Sequence, residues 1–417
     1  LLLVKSIHIS RLGLFKKNPS GVVRVKSVDS GKLNFLESVR GLAALAVLFT
    51  HVIVTYFPNS RGLQFGAPGG SELISRLFYG LPLGFMVSGN FAVVVFFVLS
   101  GFVLTYKFFQ SGNPKDLHKQ AAKRFLRLAI PIFFAVVISY IFISSGATSS
   151  IVKVMAMQGL PETARTVLNF SPTMTDAIYN ATIGVILNKN AQYNPVLWTM
   201  SIEFFGSYIV LGLAAFMLSV KKRWIFYIGA LIFLSNTYYA CFILGMLLAD
   251  IVNNTKFVEF VRDNVSKVYI YGTLVIVWVL ACFPRPTVDI AGTMYKNLLF
   301  PGFGPFYIFN LWQFSAAFML MAIILVRPEI QKLLSFRPLV VLGGLSFSLY
   351  LTHYLILHTI GDWLYVNIRP TYGISIAVIG AVFSTIIISI AVSFVWKKYI
   401  DDMSVSVSRQ FAKYILK

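Results

Sequence analysis

Apolar runs set the rhythm of this chain. From Gly41 to Trp396 they recur at close to membrane-crossing length, each closed by glycine, proline, asparagine or charge. The hydrocarbon of a bilayer takes about 20 apolar residues in a helix. Breaker positions divide the sequence into ten expected spans: 41–57, 90–109, 126–145, 195–219, 224–235, 238–252, 268–283, 306–326, 338–360 and 372–396. The fifth and sixth are short enough to form one hairpin in a thin or re-entrant region. The short alternating segments of a membrane barrel do not occur. The pattern predicts an all-α polytopic bundle. A basic segment covers 1–32, a transmembrane domain 33–400 and a tail 401–417.

Composition agrees. The 417 residues are 57% hydrophobic and 12% charged, whereas soluble domains carry about a quarter charged residues. The formal net charge of +21 would suggest nucleic acid in a soluble protein. Here the basic residues lie between spans, so topology explains them and no nucleic-acid partner is expected. With the N-terminus inside, 28 of the 36 lysines and arginines fall on inner segments and 8 on outer loops. That split places both termini in the cytoplasm. The first 32 residues lack a long apolar core, so no cleaved signal sequence is expected there. Cys241 and Cys282 offer neither a disulfide framework nor metal spacing. Two glycosylation-type triplets, at Asn169 and Asn180, fall in the expected outer loop 146–194 and point to a plasma or secretory-pathway membrane.

The first span carries the strongest chemical signal. Arg40 stands at its inner edge and His51 well inside it. Eleven residues are close to three helical turns, so both side chains point one way, about 16 Å apart along the axis. They cannot grip one small group, but they suit the two ends of a long ligand. An acyl-coenzyme A fits, with phosphates at one end and a thioester at the other. An imidazole near mid-membrane titrates near neutrality and can take a proton from a hydroxyl. Arg40 alone would serve equally as a topology anchor. His51 alone would fit a hydrogen bond to a neighbouring carbonyl.

Other ionisable residues lie at depth. In "NPVLWTMSIEFF", Glu203 sits about 13 Å below Asn194, near the level of His51. It would orient the imidazole or form a polar clasp between helices. Trp198 reads as an interfacial anchor or as part of an acceptor path. In "LGGLSFSLYLTHYLILH", His353 would bond a substrate or pack on the fourth span, and His358 reads as a wetted interfacial residue. Gly343, Gly344, Ser346 and Ser348 form a small-residue packing face. Ser100 and Gly101 lie mid-span in "FFVLSGF" without a nucleophile elbow, so close packing is expected, with a place on the acyl path for Ser100 as the alternative. "KRFLRLAIP" sets Lys123, Arg124 and Arg127 at the start of the third span. A helix start favours anions, and Arg124 and Arg127 share a face. The same charges would also satisfy anionic lipid headgroups.

Taken together these motifs resemble the acyltransferase-3 family of integral membrane acyltransferases. The resemblance rests on Arg-x10-His at Arg40 and His51, "FFVLSGF", the Arg124–Pro131 segment, "LWTMSIEFF" and "LGGLSFSLYLTH", in order over roughly 33 to 400. It implies a ten-span bundle that moves acyl groups, most often acetyl, from cytoplasmic acyl-CoA to a hydroxyl. Acceptors would be carbohydrates or lipid-linked molecules, and no tightly bound cofactor is expected. It implies His51 as general base, with Arg40, Arg124 and Glu203 as essential partners. The rival reading is a proton-coupled secondary transporter that uses His51 and Glu203 as a relay.

Overall fold

The computed structural model describes residues 33–57, 84–159, 168–286 and 294–416. The basic segment 1–32, most of the loop 58–89 with Arg61 and Arg76, and Arg165 lie outside them. Every regular element among the described residues is helical. The helices that matter here are α1 (Asn34–Tyr56), α2 (Gly89–Ser111), α3 (Pro114–Ser144), α4 (Trp198–Phe216), α5 (Arg223–Leu234), α6 (Tyr239–Asn254), α7 (Lys267–Ala281), α8 (Pro305–Val326), α9 (Arg337–Ile356), α10 (Asp362–Trp396) and α11 (Asp402–Ile415).

Local sequence explains where these helices stop and start. Gly112 ends α2 in the left-handed conformation, with φ of 67°, which glycine adopts without a Cβ penalty. The Asn113 side chain then accepts from the Lys115 backbone N–H, and Pro114 opens α3 where its missing donor costs nothing. Asn194 and Pro195 repeat that start before α4. The Asn194 amide also donates to the Leu351 carbonyl at 2.9 Å, which ties the start of α4 to α9.

Among the described residues, six helices are long and apolar enough to cross a membrane, or seven if a pair bent by 82° at Thr255 and Lys256 counts as one span. The remaining expected spans meet short helices: α5 has 12 residues and α7 has 15. At 1.5 Å per residue these cover about 18 and 22 Å, less than a full hydrocarbon core. Expected spans nine and ten belong to one long run, Arg337–Ile415. Gly373 breaks it, with φ of 81° and ψ of 173°. The outer surface is apolar; Phe233 is 87% exposed, as a lipid-facing side chain would be.

Two close helix approaches set the bundle. A Cβ at Gly101 would strike the Phe242 carbonyl, and one at Gly245 the Val98 carbonyl, so α2 and α6 meet backbone to backbone. Likewise a Cβ at Gly343 would strike the Glu37 carbonyl, and one at Gly41 the backbone of Leu342 and Gly343. Small residues therefore bring α1 onto α9. Short α5 is clasped to α6 by Asp250, which accepts from Arg223 at 2.9 Å and Tyr227 at 3.0 Å.

One sequence expectation changes here. Asn180 is 1% exposed, and its amide donates to the Asp176 carbonyl at 2.9 Å and carboxylate at 3.1 Å. A buried, bonded amide is closed to a glycosylating enzyme. Tyr193 donates to the same carboxylate at 2.8 Å, and burial first, then Asp176, pushes its phenol well above the usual range. The expected tail is helical over Asp402–Ile415 and packs along α3. Arg127 meets Asp401 and Ser404, while Lys123, one turn earlier, faces Arg409. The two helices thus run antiparallel.

Candidate active site

A cavity of about 280 Å³ opens between α1, α2, α3, α4 and α9. Its charged wall is made of three arginines and three carboxylates: Arg40, Arg124 and Arg127 with Glu37, Glu203 and Asp401. The Gly41–Gly343 approach brings the first turns of α1 beside α9 and so delivers Glu37 and Arg40. The i, i+3 spacing of Arg124 and Arg127 turns both toward the same space. Arg40, distant in sequence, thus shares one site with Arg124 and Arg127.

Each guanidinium already has a carboxylate. Arg40 reaches Glu37 at 3.1 Å on its own helix. Arg124 pairs with Glu203, and its Nε donates to Ser207 Oγ at 2.7 Å. The Ser207 hydroxyl in turn donates to the Glu203 carbonyl, one turn back on α4. Ser100 Oγ donates to the same Glu203 oxygen that Arg124 engages. Arg127 pairs with Asp401, donates to Ser404 Oγ at 2.7 Å and lies 5.3 Å from the Phe347 ring centroid. The expected orientation of His51 by Glu203 is therefore replaced by an Arg124–Glu203–Ser100 cluster. A guanidinium is the stronger partner for a part-buried carboxylate because it is always charged. Ser100 faces the cavity, while Gly101 makes the close packing.

The imidazoles form a second layer. Tyr350 lines the cavity; its hydroxyl donates to the Val196 carbonyl at 3.0 Å and lies 2.9 Å from Thr199 Oγ1. Behind it, 6.0 Å between ring centroids, stands His353. His51 follows at 5.3 Å from His353. Neither imidazole is part of the cavity wall. His353 is fully buried, with Nδ1 2.9 Å from the Leu349 carbonyl. A carbonyl can only accept, so Nδ1 carries the proton and Nε2 presents a lone pair. That Nε2 is buried without a hydrogen-bond partner.

A family model described as an acyltransferase domain, that of the acyltransferase-3 family, matches residues 33–395. The chain belongs to this family. It is thus a membrane acyltransferase in broad terms, with the three cavity arginines and the imidazole layer inside the matched region. No curated relative and no solved structure matches it significantly. Asp401 and Ser404 lie beyond the matched residues, yet the acyltransferase uses Asp401 in the cavity wall.

His358 departs from its reading as a wetted residue. It is 2% exposed, with Nδ1 2.8 Å from an Asp362 oxygen. Tyr56 donates to the other oxygen of Asp362 at 3.2 Å. Tyr354 joins the two imidazole groups, with its ring 5.0 Å from His51 and 4.4 Å from His358. Trp198 is half-buried, 5.4 Å from the Tyr238 ring and away from the cavity wall. Sequence reading missed Asp362, Tyr56, Tyr350 and Asp401. The i, i+4 spacing of His358 and Asp362 was the one available signal; nothing local marks Asp401. Among the described residues, no group of three or more His, Cys, Asp or Glu side chains is placed to hold a metal ion.

Proposed function

We propose that this acyltransferase moves an acyl group, acetyl in the first instance, from cytoplasmic acyl-CoA to the hydroxyl of a carbohydrate or lipid-linked acceptor. The observation that carries the reading is the convergence of Arg40, Arg124 and Arg127 on one cavity whose Tyr350 wall backs onto the His353–His51 pair. Guanidiniums suit phosphates because their forked donors match the oxyanion geometry. An imidazole one layer deeper suits the thioester end.

In this reading the donor's phosphates engage the arginines, and its arm runs past Tyr350 toward His51. The acceptor hydroxyl gives its proton to His51 as its oxygen attacks the thioester carbonyl. The carbon–sulfur bond breaks, the ester remains on the acceptor, and the imidazolium returns the proton to the leaving thiolate. Glu203 supports the donor end by fixing Arg124 and Ser100. His353, with its lone pair in the same layer, holds the ring of His51 or the incoming hydroxyl.

Acetyl transfer from radiolabelled acetyl-CoA tests the reading, in proteoliposomes supplied with extracytoplasmic glycans and lipids as acceptors. Label should enter an acceptor with wild-type protein and stop with His51→Ala. Full transfer by folded His51→Ala protein would remove His51 as the base. One observation favours the second reading, a proton-coupled carrier: a row of titratable side chains, all buried but the half-buried His51, from His353 and His51 through Tyr354 to His358 and Asp362. Uptake of an acceptor-like solute without coenzyme consumption would select it.

A further inference from the structure

The three cavity arginines are each neutralised from within the protein. An anionic donor must therefore take the place of a carboxylate, and the three pairs differ in how easily they part. Arg40 and Glu37 are neighbours on one helix and cannot separate far. Glu203 sits on α4, where Gly206 packs against the Phe242 ring, and it holds Arg124 and Ser100 together. Asp401 is different. It closes a wide helical turn, Lys397–Asp401, immediately before the terminal helix α11. Turns of this type inside helices are local irregularities found often at functional sites.

Helix α11 meets α3 closely but through a narrow face. Its buried side chains are only Ser404, Ser408 and Ala412, all small. Its large apolar side chains face outward; Tyr414 is 79% exposed and Phe411 40%. Parting of α11 from α3 would therefore uncover little apolar surface. The cavity of about 280 Å³ also lies at the lower edge of ligand-pocket size, about 300–1,000 Å³. Coenzyme A exceeds a typical drug-sized ligand, so the site must widen to take it.

We propose that Asp401 competes with the donor for Arg127: a phosphate of the coenzyme displaces the Asp401 carboxylate, and α11 comes away from α3. This rests on the acyl-CoA reading above. It extends the site to a residue outside the matched family region, residues 33–395. The monoester phosphate of the coenzyme carries more charge than a carboxylate and can match its two-oxygen grip on the guanidinium, which favours exchange once the donor arrives. Without donor, Asp401 keeps the buried side of Arg127 neutral and the cavity small.

The test uses full-length protein in phosphatidylcholine nanodiscs, with coenzyme A as the probe. Binding is measured for wild type, Asp401→Asn and Ser404→Ala, together with hydrogen exchange across 402–415. Asp401→Asn should bind about tenfold tighter, the scale of one part-buried charge pair. Ser404→Ala keeps the charge but loosens the latch, and should bind about two- to threefold tighter. Coenzyme A should speed exchange across 402–415 in the wild type. If Asp401→Asn fails to fold, the wild-type exchange result decides. Wild-type binding with no gain in either variant and no change in exchange overturns the inference and leaves the donor reading standing. No coenzyme binding by folded wild type overturns both. Release of α11 by phosphatidylglycerol, without a response to coenzyme A, assigns the exchange to lipid and overturns the inference.

Discussion

The arginine cavity and the imidazole layer are neighbours built in opposite ways. In the cavity, Arg124 takes its carboxylate from α4, 79 residues away, and Arg127 takes its own from residue 401, 274 away. In the imidazole layer the bonds are mostly local: His353 to Leu349 and His358 to Asp362 each span four residues on one helix run. Tyr56 crosses over, from α1 to Asp362. Long-range charge pairs can be exchanged for ligand because separate elements can part. Local pairs fixed by helical spacing persist and hold rings in place. The first arrangement suits a site that admits a charged donor, and the second a site that orients a reacting group.

The largest effect should come from the imidazole layer and appear in activity alone. His51→Ala should lower acyl transfer at least about 100-fold, the lower end of what a general base contributes, with thermal unfolding in detergent little changed. A small activity loss with a large stability loss would make His51 a structural residue and collapse the contrast.

In the cavity the largest stability effect should come from Glu203→Gln. It leaves the Arg124 charge without its carboxylate and should cost about 3 kcal/mol, read by thermal or chemical unfolding. Replacing both residues by methionine should restore most of that loss, since no charge is then left alone. Failure of the double variant to recover would mean that Ser100 and Ser207 depend on the pair for more than charge balance.

Asp362→Asn should act more gently, by about 2 kcal/mol, through weakened bonds from His358 and Tyr56. Its activity loss should also be smaller than that of His51→Ala, because Asp362 reaches His51 only through packed rings. An equal activity loss would show that the two imidazole groups work as one unit.

The smallest effect tests the helix contact beneath both regions. Gly343→Ala should destabilise by about 1–3 kcal/mol, because its methyl meets the Glu37 backbone. Gly344→Ala should be neutral or stabilise by up to about 1 kcal/mol. Its methyl meets nothing nearer than Lys397 Cε, at 3.9 Å. Equal behaviour of the two glycines would mean that α1 and α9 are not in close contact there.

Much of the helical order was legible in local sequence. Gly112, Asn113 and Pro114 mark a stop and a start in three residues, and Asn194 with Pro195 marks another. The pairing of Arg124 with Arg127 follows from 3.6 residues per turn. The small-residue face at Gly343 predicted close packing, although its partner, Gly41, did not announce itself. Short helices were less readable. Apolar composition alone made α5 and α7 look like spans, while their lengths of 12 and 15 residues fall short.

The sequence by itself determined the all-helical membrane bundle, the family and the residues at its centre, because hydrophobic periodicity and helical spacing act over a few turns. The tertiary structure alone decided the partners. It gave Glu203 to Arg124 instead of His51, buried His358 against Asp362 and Tyr56, sealed Asn180 and brought Asp401 from the expected tail into the cavity. Depth along a helix fixes a residue's height to within about a turn, but not which neighbouring helix its side chain meets. That choice is made by the close approach of backbones at glycine and by the cost of leaving any buried charge alone.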